Sequence, residues 1–291
     1  MFSIDLLSNA LVAGLLLGGF YAAVALGLSI VFGQLDIVNI AHPAFVILGS
    51  YVVYMTNTAL GLDPVLAGLL FTPLFFVLGV FVYRIYYSGF ERTGRESLAG
   101  LAFFFGIMFI LEVTIILIYG VDYRLVNAAY IGQTLRIGII DLPYRMLVPF
   151  LTAMAMTAGI AFYLSRTFTG RAILAVSQDR LALELMGANP IRIKSLAFGI
   201  GLATAAVAGA LLIIIGPVEP SFGRVYIGRV FAIVILGGMG SIKGTLLAAL
   251  LIGVSESLVQ TFIGPSWADA VAFSVLLLTL VLRPQGLFGR L

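Results

Sequence analysis

The chain has 291 residues, of which 62% are hydrophobic and only 10% are charged. A water-soluble protein of this length carries about 25% charged residues, so the chain lacks the polar surface of a soluble fold and is a membrane protein. The net charge of +3 gives no argument for nucleic acid as a partner, and a chain with no cysteine has neither disulfides nor thiolate sites.

Long uncharged runs predict α-helices that cross a membrane, since about 20 apolar residues are needed to span the hydrocarbon as helix. The runs are continuous rather than alternating, which favours helices over a β-barrel. We predict an all-α polytopic fold, one membrane domain over 1–291 with eight or nine crossings. These lie at 8–33, 40–58, 64–86, 97–119, 144–165, 193–216, 226–241, 244–262 and 267–283. The segment 226–241 is short, so it either crosses or re-enters.

The distribution of basic residues predicts the orientation. Of the 16 Lys and Arg residues, eleven fall on one side, and Arg124, Arg136, Arg145, Arg224 and Arg229 fall on the other. By the positive-inside rule, the N-terminus lies outside and the C-terminus in the cytoplasm. The first residues, MFSID, have no basic region, which argues against a cleaved signal peptide.

The sequence has two polar segments and one possible internal repeat. The outer loop 120–143 has alternating patches around Gly132, which favour a small hairpin about as much as a plain loop. The inner segment is 166–194. The octamers AFVILGSY (44–51) and AIVILGGM (232–239) are similar at an offset of 188 and run in opposite directions in this topology. Such an inverted repeat marks the substrate path in several classes of transporter, although chance similarity is an equal alternative.

No catalytic or nucleotide-binding motif is present. GGMGSIKGT (237–245) has its lysine before the glycine, the wrong order for a P-loop, and the single histidine, His42, supports neither a metal cluster nor a triad. Glu112 and Glu256 interrupt apolar runs and are candidates for proton coupling, although neither has an obvious buried basic partner in the sequence. A helix-packing hydrogen bond is the other reading of both residues.

The inner segment predicts a short docking helix. Ser177 is expected to cap a helix over 178–186, with Gly187 as a left-handed stop and Pro190 beyond it. Such a helix between two spans has no core of its own, so it either lies on lipid headgroups or docks into another protein. Asp179 and Glu184 make it less basic than a membrane-surface helix, which favours docking.

Four stretches together resemble a known family. SQDRLALELMGANPIRIKSLAF is similar to the cytoplasmic element that permeases of ABC importers present to their ATPase. With NIAHPAFVILGSY, VILGGMGSIKGTLLAALLIGVSESL and LRPQGLFGR, it resembles the LivH-type permeases of branched-chain amino-acid importers. Many relatives read His-Gly-Glu where this chain has His42-Pro43-Ala44, and the family also carries other amino acids, urea, amides and organic acids. The exact substrate therefore stays open.

The resemblance implies a non-catalytic subunit in a bacterial cytoplasmic membrane, surrounded by lipid. It moves a small polar solute inward, branched-chain or other amino acids first, and needs no cofactor of its own. ATP would be bound by two partner ATPase subunits. A second related permease or a second copy and an external solute-binding protein would complete the assembly. The alternative is a proton-coupled secondary transporter or channel that uses Glu112 or Glu256.

Two groups of residues follow from this interpretation. The translocation path and gates comprise Asn39, His42, Phe45, Gly49, Gly237, Gly238 and Gly240. The contact with the ATPase comprises Ser177, Asp179, Arg180, Glu184, Leu185 and Gly187. We place Asn39 and His42 at the cytoplasmic start of the second span, where His42 is either a local structural group or part of the inner gate.

Overall fold

A computed structural model describes residues 4–94, 98–283 and 285–289, without the side chain of Arg180. Within these residues the chain forms twelve α-helices and one β-hairpin. The helices are α1 (Ile4–Leu35), α2 (His42–Leu60), α3 (Pro64–Leu70), α4 (Thr72–Gly89), α5 (Leu98–Tyr119), α6 (Tyr144–Arg166), α7 (Phe168–Val176), α8 (Arg180–Leu185), α9 (Pro190–Ile215), α10 (Phe222–Gly237), α11 (Ile242–Phe262) and α12 (Ala268–Leu282). The strands are β1 (Thr134–Ile137) and β2 (Ile140–Pro143). The predicted all-α membrane fold is confirmed.

Eight helical segments in the described part of the chain are long and apolar enough to cross a membrane. They are Ile4–Leu35, His42–Leu60, Thr72–Thr93, Leu98–Tyr119, Tyr144–Arg166, Pro190–Ile215, Ile242–Phe262 and Pro265–Leu282. The expected span 226–241 is not among them. It corresponds to α10, whose 16 residues give a helix about 24 Å long, shorter than a hydrocarbon core of about 30 Å. The expected span 64–86 is interrupted at Phe71, because Pro73 in the first turn of α4 has no N–H to continue α3.

The two ends of the helical bundle differ in structure. At the hairpin end, β1 and β2 pair antiparallel with Thr134 opposite Pro143, so the hairpin alternative for 120–143 is the one observed. Asn9 ties this hairpin to α1, donating to the Ile139 carbonyl at 2.8 Å and accepting from the Asp141 amide at 2.9 Å. A hydrogen bond from Arg136 lowers the pKa of the Asp141 carboxyl. The opposite end, which carries α7, α8 and the α10–α11 loop, is called the α8 end.

Two pairs of long helices pack alike. α1 lies antiparallel on α11, and a Cβ on Gly18 would sit 2.7 Å from the Cα of Leu250. α9 lies antiparallel on α4, and a Cβ on Gly79 would sit 2.8 Å from the Cα of Gly199. In both pairs glycine lets two backbones touch, as small residues do between membrane helices. Since α1 and α9 run in opposite directions between the ends, the two halves form an inverted repeat.

The repeat extends to the helices that follow α1 and α9. α2 packs against α9, and α10 packs against α1, each after a short non-helical approach. Their first residues, His42 and Phe222, are 180 positions apart. The two similar octamers do not occupy equivalent places, because Ala44 is the third residue of α2 and Ala232 the eleventh of α10. The repeat is therefore one of helices rather than of those octamers.

Candidate functional site: a helix junction and its link to α8

The second span begins deep in the bundle, which corrects its expected start at the membrane surface. The Nε2 of His42 donates to the Val24 carbonyl of α1 at 3.1 Å, since a carbonyl can only accept. Val24 precedes the end of α1 at Leu35 by eleven residues, or about 16 Å of helix. The segment 36–41 therefore carries the chain inward before α2 starts.

His42 is fully buried and packs where α1 and α9 meet. Glycines on both helices make room for its ring: a Cβ on Gly27 would sit close to the imidazole, and Gly201 lies directly against Gly27. The ring therefore lies against α1, at the place where α1 touches α9. This geometry agrees with the local structural reading of His42, in which the imidazole binds one helix to another.

The N-terminal ends of α2 and α10 meet inside the bundle. A Cβ on Gly223 would lie 3.3 Å from the Cα of Ala44 and 3.4 Å from its nitrogen. Neither helix has a side-chain cap. Among the described residues, nothing accepts a hydrogen bond from the backbone N–H of Ala44 or of Gly223. Two helix N-termini thus face each other with free amides, an arrangement that favours negative charge or an acceptor group between them.

Asn39 adds a third unpaired donor at this junction. Its side chain is fully buried, and its Oδ1 accepts from the Ala41 amide at 3.1 Å. Its Nδ2 has no hydrogen-bond partner among the described residues. A buried donor without a partner is unfavourable. The buried Asn39 amide is therefore a further donor without an acceptor, just before the start of α2.

α9 forms the wall behind α2. The Ser50 hydroxyl donates to the Gly209 carbonyl at 2.8 Å, and a Cβ on Gly49 would lie 2.9 Å from the Ala205 carbonyl oxygen. Gly49 therefore lets α2 approach α9 closely. Phe45, one turn earlier, is buried at 1% exposure.

α10 is held on one side by a buried charge cluster. The Arg229 Nε lies 2.9 Å from Glu256 Oε1 of α11, and the Tyr21 hydroxyl donates to the other carboxylate oxygen at 2.5 Å. Arg229 also pairs with Asp269 of α12 and lies over the ring of Tyr226. Glu256 is 0% exposed. The cluster binds α10 to α1, α11 and α12.

A second ion pair holds the first turn of α10 to α5. Arg224 Nη2 lies 2.6 Å from Glu112 Oε1, and the carboxylate is nearly buried. Both intramembrane carboxylates therefore have an arginine partner, which corrects the expectation that neither has one. The sequence hid these partners because Arg224 and Arg229 were counted as loop residues, whereas both lie within α10.

The segment between α6 and α9 ends in a short, exposed helix. Asp179, not Ser177, caps α8, because its Oδ1 accepts from the Ala182 amide at 2.9 Å. The helix ends where predicted: Gly187 has φ +80°, and the Ala188 amide returns to the Leu183 carbonyl. Leu183 is buried, whereas Leu185 and Met186 are 80% and 85% exposed. The side chain of Arg180 lies outside the described part of the structure.

Gln34 joins this segment to the α10–α11 loop. The Ser177 hydroxyl donates to Gln34 Oε1 at 2.9 Å, and Gln34 Nε2 donates to the Gly240 carbonyl at 2.8 Å. These groups line a cavity of about 460 Å³ at the α8 end, together with Lys243. Ser177 is therefore a linking residue rather than the predicted cap, because it lies at the C-terminal end of α7.

Comparison with known proteins decides the family. The family model described as "Branched-chain amino acid transport system / permease component" matches residues 10–280. The chain belongs to this permease family. It is therefore the permease subunit of an ABC importer.

Named relatives cover the permease almost completely. It is 32% identical over 297 aligned residues to the high-affinity branched-chain amino acid transport system permease protein BraD of Pseudomonas aeruginosa, covering 96% of this chain and 95% of the relative. It is 29% identical to the corresponding protein LivH of Escherichia coli K12, with 95% and 94% covered. It is also 30% identical to LivM of the same organism, with 92% of this chain and 67% of the relative covered. No solved structure matches it significantly.

The structure separates the two predicted gate groups of the permease. Asn39 and Phe45 lie near the start of α2 and Gly49 packs against α9, whereas the glycines at the end of α10 lie at the α8 end. Gly237 packs on Gly244, Gly238 on the backbone at 288–289, and Gly240 on Gly33. We expected these three glycines to lie opposite 39–49, and in the structure they do not. The residue that meets α2 is Gly223, which sequence reasoning missed because no motif surrounds it.

Gln34 gives the first prediction for the permease. Gln34→Leu removes both hydrogen bonds of the link, each worth about 1 kcal/mol, so we expect only modest destabilisation. Because the link joins α7 to the α10–α11 loop, we expect ATP-driven uptake to fall severalfold while ATP hydrolysis persists. Uptake and hydrolysis measured together in proteoliposomes check this. Gln133→Leu is the matched control, since Gln133 binds only its own exposed loop; an equal fall in uptake there would contradict the link.

Proposed function

We propose that this permease imports branched-chain amino acids across the inner membrane of a bacterium. The names of its relatives BraD, LivH and LivM support this substrate class. Its partners would be two ATPase subunits, a second permease similar to LivM or a second copy, and an external binding protein. ATP would be bound and hydrolysed only by the ATPases, so the permease itself would need no cofactor and catalyse no reaction. The α8 end would face the cytoplasm.

The observation that carries the proposal is the exposed α8 together with its link to α10. Leu185 and Met186 are apolar side chains that a soluble partner would cover. Movement of α8 would pass through α7, Ser177 and Gln34 to Gly240 at the end of α10. α10 would then shift its first turn against α2, which opens or closes the junction.

The junction would hold the carboxylate of the amino acid in transit. The free amides of Ala44 and Gly223 and the Asn39 amide are donors without acceptors, and a carboxylate would pair with them. No other fixed charge would be required in the path, so choice among amino acids would rest mainly with the binding protein. A proton-coupled mechanism is not favoured, because both candidate carboxylates are engaged by arginines.

Reconstitution tests this function and the junction together. Proteoliposomes that contain the permease, its ATPases and its binding protein are expected to accumulate leucine only with ATP. Asn39→Asp keeps the Oδ1 that accepts from Ala41 and replaces the free donor by a carboxylate. We expect this variant to fill the junction with its own charge, keep or raise thermal stability, and lower uptake at least about tenfold, the effect of one lost charge-assisted hydrogen bond.

The outcomes separate the two parts of the proposal. Wild-type vesicles that fail to take up leucine, or that do so without ATP on an ion gradient, refute the importer. Wild-type uptake that Asn39→Asp does not change refutes the carboxylate site alone. Tyr51→Phe is a control, because the Tyr51 hydroxyl has no hydrogen-bond partner in the described structure and its loss breaks no contact.

A further inference from the structure

A basic cavity lies at the α8 end between α4 and α9. Its volume is about 390 Å³, and Arg84, Arg192 and Ser195 line it together with apolar residues of the same two helices. Both arginines are exposed. The side chains of Arg84 and Arg192 form no ion pair and no hydrogen bond with any residue that the structure describes. The cavity therefore presents two positive charges without an internal counter-ion.

Glu91, which follows α4, does not neutralise these arginines. Both oxygens of the buried Glu91 are engaged: Lys194 Nζ lies 2.6 Å from Oε1, and the Tyr83 hydroxyl donates to Oε2 at 3.0 Å. This ion pair joins the end of α4 to the start of α9 and fixes the walls of the cavity. A ligand that fits must bring its own negative charge.

An apolar groove continues from the basic cavity toward the hairpin end. It has a volume of about 450 Å³ between α4, α6 and α9, and Leu196 lines both the groove and the cavity. On α9 the groove follows Leu196, Ile200, Ala203 and Val207, a stripe about 16 Å long at helical spacing. On α4 it runs from Phe76 to Thr72. The lining thus changes from charged to largely apolar from the cavity to the groove.

We propose that the cavity and the groove together bind one anionic phospholipid. The phosphate would lie between Arg84 and Arg192, and an acyl chain would lie along the α9 stripe. Two features favour lipid over a soluble anion or a protein. The first is that the charged cavity lies at the end of membrane-spanning helices, where the phosphates of the bilayer lie. The second is that the adjoining groove is largely apolar, so the two sites together match a ligand with a charged head and an apolar tail. The bound lipid would brace α4, α6 and α9, the wall behind α2.

Native mass spectrometry of the full chain in mild detergent tests the site, with phosphatidylglycerol and phosphatidylcholine of identical acyl chains as probes. We expect phosphatidylglycerol to be retained at least about tenfold more strongly, as two nearby arginines imply. The double variant Arg84→Gln, Arg192→Gln should lose that preference. The matched variant Arg166→Gln, Arg171→Gln, which removes two exposed arginines at the same end, should keep it. Ile200→Trp should weaken both lipids equally by filling the groove.

Five results would overturn the proposal. The first is a wild-type chain that does not prefer phosphatidylglycerol over phosphatidylcholine. The second is an equal loss of that preference in the Arg166, Arg171 variant, and the third is full lipid binding by Ile200→Trp. The fourth is protection against thermal unfolding by inorganic phosphate alone that equals protection by phosphatidylglycerol, which would make the ligand a free anion. If the Arg84, Arg192 variant keeps its lipid preference but loses its ATPase subunits, the cavity is a protein contact instead.

Discussion

Replacing Arg229 by methionine is expected to lower the free energy of unfolding by about 3–5 kcal/mol, because Glu256 would stay buried without its cationic partner. Glu256 is fully buried and Arg229 is only 12% exposed in its side chain, so water cannot replace the lost contact. Methionine keeps most of the volume and the packing against Tyr226. The measurement is the midpoint of thermal unfolding in detergent, followed by tryptophan fluorescence or by loss of monodisperse protein.

A double variant separates lost charge pairing from lost packing. In Arg229→Met, Glu256→Gln both charges are gone, so most of the stability should return. Arg136→Gln is the control for an exposed pair, since Arg136 and Asp141 are 74% and 45% exposed. Water screens an exposed pair, so its loss should hardly move the midpoint. Equal shifts for Arg229→Met and the double variant would contradict a charge-based role.

The same cluster decides between two mechanisms of transport. A structural Glu256 predicts that Glu256→Gln in the assembled importer still takes up solute with ATP, at a rate set by how much folded protein remains. A proton-coupled carboxylate would instead be needed in every cycle, and its loss would abolish uptake without unfolding the protein. The ratio of uptake to folded protein distinguishes these outcomes.

The spans could be predicted from sequence because burial in lipid acts on every residue of a run. Continuous apolar stretches such as 195–218 leave few alternatives to helix, and the observed α9 covers that stretch almost entirely. The same reasoning placed the start of the segment 226–241 after the true start of α10 at Phe222. The helix starts at Phe222 and carries Arg224 and Arg229, whose charges are neutralised by Glu112 and Glu256. A pairing between residues 27 positions apart on different helices leaves no local signal.

The depth of α2 was unpredictable for a similar reason. Residues 36–41 read as a surface turn before a helix, and Pro43 fits the first turn of a helix at any depth. Their true position is set by α1, where the Val24 carbonyl accepts from His42 and Gly27 leaves room for its ring. By contrast, the end of α8 at Gly187 was predictable, because a glycine in the left-handed conformation terminates a helix through local hydrogen bonds alone.

Replacing Leu185 and Met186 together by aspartate is expected to abolish ATP-driven uptake while leaving the fold intact. Both side chains are largely exposed, so the charges meet water and cost little stability in the isolated permease. At a protein interface they would be desolvated. Loss of central apolar contacts there typically costs 2 kcal/mol or more, so we expect at least about a thirtyfold loss of ATPase affinity.

Two measurements and one matched variant make this result specific to docking. Co-purification of the ATPases should fail for the Leu185→Asp, Met186→Asp variant, and its thermal midpoint should equal that of the wild-type chain. Ile137→Asp introduces the same charge at a side chain that is 58% exposed in the hairpin, at the opposite end of the bundle, and should retain the ATPases. Since Leu183 and the two caps anchor α8 to the bundle, a variant that still binds the ATPases would mean that the force enters elsewhere. The Gln34 link would then have no source of movement.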